Sequence, residues 1–346
     1  MEKSSIKNEQ NQQVVTHKEL QNDPQMEEQA QEFIVGEDLA GERLDHVLLH
    51  YFADLSRSRL QSWIKNQQVK VNGKVIVKPK HRVLAGENLA VIPTMQDQGE
   101  WKAVDIDFEE HYQDDDLLIV NKRAGLVVHP APGHYQDTLV NGLLFRYPEL
   151  RKLPRAGIVH RLDKDTTGLL VVAKTAEAHN HLVNQLQLRE FDREYMALVH
   201  HTLVAGETID LPIGRHPQIR KKMTVIENGT SSAKEAITHY RIEEKFKNFT
   251  LLKVKLETGR THQIRVHLSH INHSIVGDPL YSIRNLKPRG MSEEFAEIFD
   301  SFNRQALHAA SLGLQHPTTG EPMSWQAPLP DDFKQLIAAI KQHDAR

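Results

Sequence analysis

Apolar positions along the chain change their spacing several times, and each change predicts an element. Residues 1–32 are polar, rich in Gln, Asn and Glu and without periodicity, which predicts a disordered acidic tail. Leu44, Val47 and Leu48 then fall at helical spacing. Leu60 and Ile64 do so again behind the run Ser56–Arg57–Ser58–Arg59, where Ser56 or Ser58 is placed to cap a second helix. Val69–Lys70–Val71 alternates, and Asn72–Gly73 predicts a hairpin turn returning through Lys74 and Val75. Leu117–Leu118–Ile119–Val120 is a run of the buried-strand type. Leu139, Val140, Leu143 and Leu144 share one helix face, with Asp137 placed as its cap. Leu182, Val183 and Leu186 share another face, and Leu252, Val254 and Leu256 alternate with Lys253 and Lys255 as a half-exposed strand does. Phe333, Leu336, Ile337 and Ile340 predict a closing helix. Strands and helices do not follow the regular βαβ spacing of a doubly wound sheet, so the larger part of the chain reads as mixed α+β with largely antiparallel strands.

The densest polar stretch lies between two strand-like runs. From Ala156 to Thr175 the chain reads AGIVHRLDKDTTGLLVVAKT, so that Gly157–Ile158–Val159 and Leu169–Leu170–Val171–Val172 are expected to form a hairpin with HRLDKDTTG at its turn. Arg161, Asp163, Lys164 and Asp165 are thereby carried on a short loop held by buried strands. A carboxylate flanked by cations in such a loop is a candidate nucleophile or general base. The plain alternative is a turn aspartate, and Asp165, with Thr166 and Thr167 beside it, is read as structural because it can hydrogen-bond its own loop.

Composition narrows the classes. At 346 residues the chain is long enough for two domains and tails. No apolar run approaches a membrane span, no secretory-type apolar segment opens the chain, and the absence of cysteine excludes disulfide frameworks and thiolate metal sites. A cytoplasmic address is expected. The overall charge of −3 conceals opposed blocks. Residues 1–38 carry three lysines against nine acids, residues 39–92 nine Lys/Arg against four acids, and residues 100–116 one lysine against eight acids. Residues 117–346 are therefore net basic, and because polyanions respond to the local field, a nucleic-acid partner stays open. The acidic residues 96–112 read as a linker or a surface edge strand. His262, His267, His270 and His273 lie close together without the HExxH pattern or carboxylate triad of a metal site, so they are read as solvated positions or weak RNA contacts and no metal is expected.

The segment SRSRLQSWIKNQQVKVNGK resembles the S4 RNA-binding domain in its helix pair, basic turn and VNG hairpin. Three further motifs, HRLDKDTTG at 160–168, REYMALV at 193–199 and LETGRTHQIRVH at 256–267, resemble in order, spacing and wording the RluA family of large-subunit rRNA pseudouridine synthases. The resemblance covers roughly residues 33–342. It implies an S4-like unit over 33–95, an acidic linker over 96–112 and a catalytic domain over 113–342. The implied activity is isomerisation of uridine in a stem-loop of 23S rRNA, on naked RNA or on an assembling pre-50S particle, by a protein taken to be a monomer.

Rejoining uracil to its sugar through carbon 5 conserves every atom, so the implied reaction needs no cofactor, metal or ATP, and one carboxylate suffices. By the family match that carboxylate is Asp163. Whether it attacks the sugar carbon, adds to the uracil ring or removes a sugar proton stays open at this level. A buried carboxylate stays ionised only beside a cation, and the carried-over partner is Arg265, whose fork suits the task better than an ammonium. Tyr195 is the carried-over aromatic expected to stack on the flipped base, and Arg161 is expected to enter the space the nucleotide leaves. Arg57, Arg59, Lys65, Lys70 and Lys74 are the expected RNA contacts of the S4-like unit. Two rivals remain. DKDTT also fits the D-x-D-x-T pattern of magnesium-dependent phosphotransferases, and the S4-like unit alone would suit a non-enzymatic RNA-binding protein.

Overall fold

The computed structural model describes residues 30–52, 57–92, 101–131, 133–219, 221–227, 233–282 and 287–345. The chain divides into two compact units, one ending at Gly99 and the other starting at Glu100. The expected tail therefore lies almost wholly outside the described residues, as do Ser56 and the side chains of Ser58 and Arg59.

The first unit runs β1 (Gln31–Ile34), α1 (Leu44–Tyr51), α2 (Arg57–Lys65), β2 (Val69–Val71), β3 (Lys74–Val75) and β4 (Asn88–Val91). Its antiparallel sheet has the order β1-β4-β2-β3. Leu44, Val47 and Leu48 of α1 and Leu60, Trp63 and Ile64 of α2 bury against Val69, Val71, Leu89 and Val91, which is the core the helical and alternating spacings anticipate. Asn72 (φ +48°) and Gly73 (φ +76°) both take the left-handed conformation of a two-residue hairpin turn, and the Asn72 side chain accepts the backbone N–H of Asn88 at 2.9 Å. Asp45 is wholly buried and holds the helix pair together: Arg43 pairs with it twice at 2.9 Å, Arg57 donates at 2.9 Å and Gln61 at 2.6 Å.

The second unit opens with β5 (Glu109–Gln113), β6 (Leu117–Lys122), α3 (Leu139–Arg146), β7 (Thr167–Ala173), α4 (Ala176–Gln187) and β8 (Asp192–His200). It continues through β9 (Glu207–Asp210), β10 (Ile213–Arg215), β11 (Met223–Val225), β12 (Ile237–Lys245), β13 (Phe249–Leu256), α5 (Gln263–His270), α6 (Glu293–Ser301), β14 (Leu307–Gln315), β15 (Pro322–Gln326) and α7 (Asp331–Asp344). The large sheet has the order β5-β6-β7-β14-β8-β13-β12-β9, with β15 also paired to β14, and β10 and β11 form a separate ribbon. Its strand pairs are antiparallel except β7 with β14, so the α+β, largely antiparallel architecture holds. α7 packs Phe333, Leu336, Ile337 and Ile340 into the main core, as their spacing anticipates. No helix among the described residues is long and apolar enough to cross a membrane.

Three local expectations change. Residues 101–108 do not behave as a linker: Val104, Ile106 and Phe108 turn inward while Asp105, Asp107 and Glu109 stay exposed, and Trp101, Ile106 and Phe108 pack on the main core. High acid content had masked a period-two alternation, and the edge strand β5 follows directly. The incoming arm of the expected hairpin is not a strand. Pro154–Gly157 is a tight turn with Arg155 and Ala156 at φ +53° and +52°, and Ile158 makes a single bridge to Val172. The cap of α3 is Thr138, which makes a reciprocal capping box with Asn141, while Asp137 pairs with His134 at 2.5 Å.

Candidate active site

The HRLDKDTTG loop leads into β7, whose first residues Thr167 and Gly168 pair in parallel with His308 and Ala309 of β14. Its backbone is held by side chains from elsewhere. The Lys122 ammonium, at the end of β6, donates to the carbonyls of Arg123, Leu126 and Lys164 at 3.0, 3.0 and 2.8 Å. Arg304 donates to the Asp165 carbonyl at 3.5 Å while forking onto Asp332 at 2.7 and 2.8 Å, and Gln305 donates to the Thr166 hydroxyl at 3.0 Å. Burial draws the Lys122 ammonium down to about 7, against the pull of the Asp165 and Asp163 charges. Asp163 therefore projects from a loop tied at the Lys164 and Asp165 carbonyls and at the Thr166 hydroxyl.

Arg265 meets it from the other side. The turn Thr258–His262 that precedes α5 is organised by buried Gln263, whose side-chain oxygen accepts from Thr258 and Arg260 and whose amide donates to the Ile237 carbonyl at 2.9 Å. This seats the first turn of α5 against the ends of β12 and β13. Arg265 Nη1 donates to Asp163 Oδ2 at 2.8 Å, and Nε and Nη2 fork onto Asp278 at 2.7 and 3.0 Å. Burial alone would lower the guanidinium's pKa, but its bonds to Asp278 and the charges of Asp278 and Asp163 raise it instead. The Tyr281 ring lies 5.0 Å below the guanidinium carbon, and its hydroxyl bonds to His262 Nδ1 and accepts the Met223 N–H, both at 2.8 Å. Burial raises the Tyr281 hydroxyl to about 12, so it is neutral throughout the physiological range.

Asp163, Arg265 and Tyr195 line one cavity of about 840 Å³, which Arg161, His129, Trp101, Arg155, Arg193 and Arg260 also border. Tyr195, on β8 between Val254 of β13 and Ala309 of β14, is buried. Arg161 is exposed. One carboxylate fixed by a guanidinium, with an aromatic wall and a cationic rim, suits a single neutral ring attached to a polyanionic chain. Among the described residues no group of His, Asp and Glu is arranged to hold a metal ion.

The RNA pseudouridylate synthase family model matches residues 116–270, and the S4 domain model residues 42–89. Ribosomal large subunit pseudouridine synthase D of Salmonella typhimurium is 50% identical over 307 residues, covering 89% of this chain and 93% of the relative. The chain belongs to the RNA pseudouridylate synthase family. The protein of the same description from Pseudomonas aeruginosa is 50% identical over 305 residues, covering 88% and 94%. Among solved structures, human RNA pseudouridylate synthase domain containing 4 superposes with a TM-score of 0.53 at 26% identity, covering 67% of this chain and 92% of that one. This pseudouridine synthase is thus an isomerase with an S4 domain ahead of its catalytic unit.

The synthase brings Asp163, Arg265 and Tyr195 together across about a hundred residues of sequence, and Arg161 to the rim. In the S4 domain Lys65, Lys70 and Lys74 are exposed, whereas Arg57 is half engaged with buried Asp45. The histidine cluster does not stay together as a solvated group. His267 is buried between the Thr238 hydroxyl and the Leu211 carbonyl at 2.9 Å each, and His262 alone approaches Asp163, at 3.9 Å. Several buried charges escaped the sequence reading, Asp278 and Lys122 at the site among them. Asp278 stands in a Gly-Asp-Pro turn, a setting in which aspartate is ordinarily exposed, and Lys122 closes an apolar strand as any solvated lysine can. The remaining hint was that both lie at the ends of strongly apolar stretches.

Proposed function

We propose that this synthase converts uridine to pseudouridine in a stem-loop of large-subunit ribosomal RNA, in the cytoplasm and as a monomer, on free RNA or an assembling particle. The observation that carries the reading is the Asp163–Arg265–Asp278 chain, buried at Arg265 and Asp278, that opens through half-buried Asp163 on the cavity that Tyr195 walls. Asp163 is the nucleophile or base, and Arg265 keeps it charged and oriented. Tyr195 packs against the extruded uracil, recovering part of the few kcal/mol spent on unstacking it. Arg161 fills the space left in the RNA. The three routes open to Asp163, attack on C1′, addition to the uracil ring or removal of a sugar proton, each need one ionised carboxylate and no more. Exposed Lys65, Lys70 and Lys74 of the S4 domain, with Arg59, supply phosphate contacts that add affinity without reading sequence. The names of the curated relatives, each a large-subunit enzyme, support the choice of substrate.

The test is tritium release from 23S rRNA labelled at carbon 5 of uridine, in excess EDTA, comparing wild type with Asp163→Asn. Release by wild type alone is expected. Release by Asp163→Asn near the wild-type rate would remove Asp163 from its role, and a strict requirement for magnesium would favour the phosphotransferase rival.

A further inference from the structure

The REY motif contains a second residue for which the site as described has no use. Arg193 sits two positions before Tyr195 on β8, so both side chains project from the same face of the sheet, and both border the cavity. Arg193 is 94% buried (6% exposed), yet no carboxylate pairs with it among the described residues. Its Nη2 donates to the carbonyls of Leu256 and Glu257 at 3.5 and 3.1 Å, and its Nε is buried without any acceptor. Among the described residues Nη1 makes no hydrogen bond, and its side chain borders the cavity. The turn above it is bare at Gly259, where a β-carbon would stand 2.9 Å from Nη1. Every other buried arginine among the described residues of this unit is neutralised: Arg265 by Asp278 and Asp163, Arg304 by Asp332.

A buried cation without a counter-ion is costly, and burial pulls the Arg193 guanidinium below its ordinary range. Such a group is useful where negative charge appears during a reaction, because its field is not already spent on a permanent partner. Isomerisation of uridine creates such a charge. The C1′–N1 bond breaks, its electron pair stays with uracil and spreads over N1, O2 and O4, C5 then bonds to C1′, and the proton lost from C5 is balanced by one gained at N1. If Asp163 adds to C6 of the ring first, the charge falls on O4 and C5, so O4 carries charge by either route.

We propose that Arg193 donates through Nη1 to a carbonyl oxygen of the target uracil and stabilises the negative charge that the ring carries during the reaction. This assigns the motif two tasks on one strand: Tyr195 packs on the base, and Arg193 receives its charge. The inference rests on the cavity being the uridine site. The plain alternative is that Arg193 merely pins the turn after β13 through its two carbonyl bonds.

The experiment compares full-length wild type, Arg193→Gln and Arg193→Lys on two otherwise identical stem-loop RNAs, one with uridine and one with 5-fluorouridine at the target, under single-turnover conditions, with RNA affinity and thermal midpoints measured alongside. The rate is read on both as loss of the N1-linked target nucleoside, because the fluorinated ring can form the C5–C1′ bond but has no C5 proton to lose. Fluorine stabilises the uracil anion by itself, so a variant lacking charge stabilisation should suffer less on that RNA. On uridine RNA, Arg193→Gln is expected to lose on the order of 10²-fold in rate with RNA affinity nearly unchanged, the size seen when one oxyanion donor is removed. Arg193→Lys should recover part of the loss, and the deficit of Arg193→Gln should shrink at least several-fold on the fluorinated RNA. An equal deficit on both RNAs, or one that follows a lowered midpoint and is shared by Arg193→Lys, would overturn the proposal in favour of the turn-pinning role. Absence of product from wild type on both RNAs would overturn the uridine-site reading and the role of Arg193 with it.

Discussion

Asp278→Asn is the sharpest test of how the site is held. The Asp278 carboxylate is buried and accepts four N–H groups: Arg265 Nε at 2.7 Å, Arg265 Nη2 at 3.0 Å, and the backbone of Leu280 and Tyr281 at 2.8 and 3.0 Å. Asparagine has the same shape but one oxygen. If that oxygen keeps the two backbone bonds and Nη2, the new amide faces Arg265 Nε–H, donor against donor. One charge-assisted bond, about 1.5–3 kcal/mol, is lost, and a buried donor is left unsatisfied at a further 1–3 kcal/mol or so. The total, about 3–5 kcal/mol, matches what removal of one partner costs a buried ion pair. For a unit of this size the midpoint of thermal unfolding should fall by roughly 6 to 20 °C. Activity should fall as well, because Arg265 loses the anchor that aims Nη1 at Asp163. Differential scanning calorimetry with single-turnover tritium release measures both. A midpoint within about 2 °C of wild type would refute the reasoning, since it would mean that the Arg265–Asp278 fork contributes no more than an exposed pair.

Other outcomes follow from the same geometry. Burial lowers His129 to about 4, His160 to about 3 and His200 to about 4, so the folded state binds fewer protons than the unfolded chain below pH 6.5. Their contribution is complete above that pH and is lost as pH falls towards 4, at up to about 1.4 kcal/mol per pH unit for each group; a thermal midpoint flat from pH 7 to 4.5 would contradict it. Gly168 has φ +106°, and a β-carbon there would collide with the Ala309 carbonyl where β7 meets β14, so Gly168→Ala should cost more than about 3 kcal/mol in chemical denaturation and abolish turnover. In the S4 domain, Lys70→Ala with Lys74→Ala should weaken RNA binding and reduce the slope of log affinity against log salt by up to roughly two, without moving the melting curve. Asp45→Ala should instead destabilise that domain, because Arg43, Arg57 and Gln61 all lose their shared acceptor; an unchanged circular-dichroism melt would show the cluster to be dispensable.

Periodicity and turn chemistry were enough to place most elements. Leu44 to Leu48, Leu60 with Ile64, the Asn72–Gly73 turn, Leu117–Val120, the alternation at Leu252–Leu256 and the spacing of Phe333 to Ile340 each reflect a local rule, since side-chain direction repeats with the backbone's own period. The motifs likewise marked Asp163, Arg265, Tyr195 and Arg161 as residues to watch. What local spacing cannot carry is which distant groups meet. Asp278 reaches Arg265 through the fold of the 277–281 turn, Lys122 reaches the Lys164 carbonyl because β6 pairs with β7, and Arg193 ends beneath Gly259 because β8 lies beside β13. The same residues in solvent would be ordinary turn, strand-end and surface charges. Burial makes their pairing, or in Arg193 its absence, a matter of several kcal/mol, and burial is a property of the packed sheet and helices rather than of any one segment.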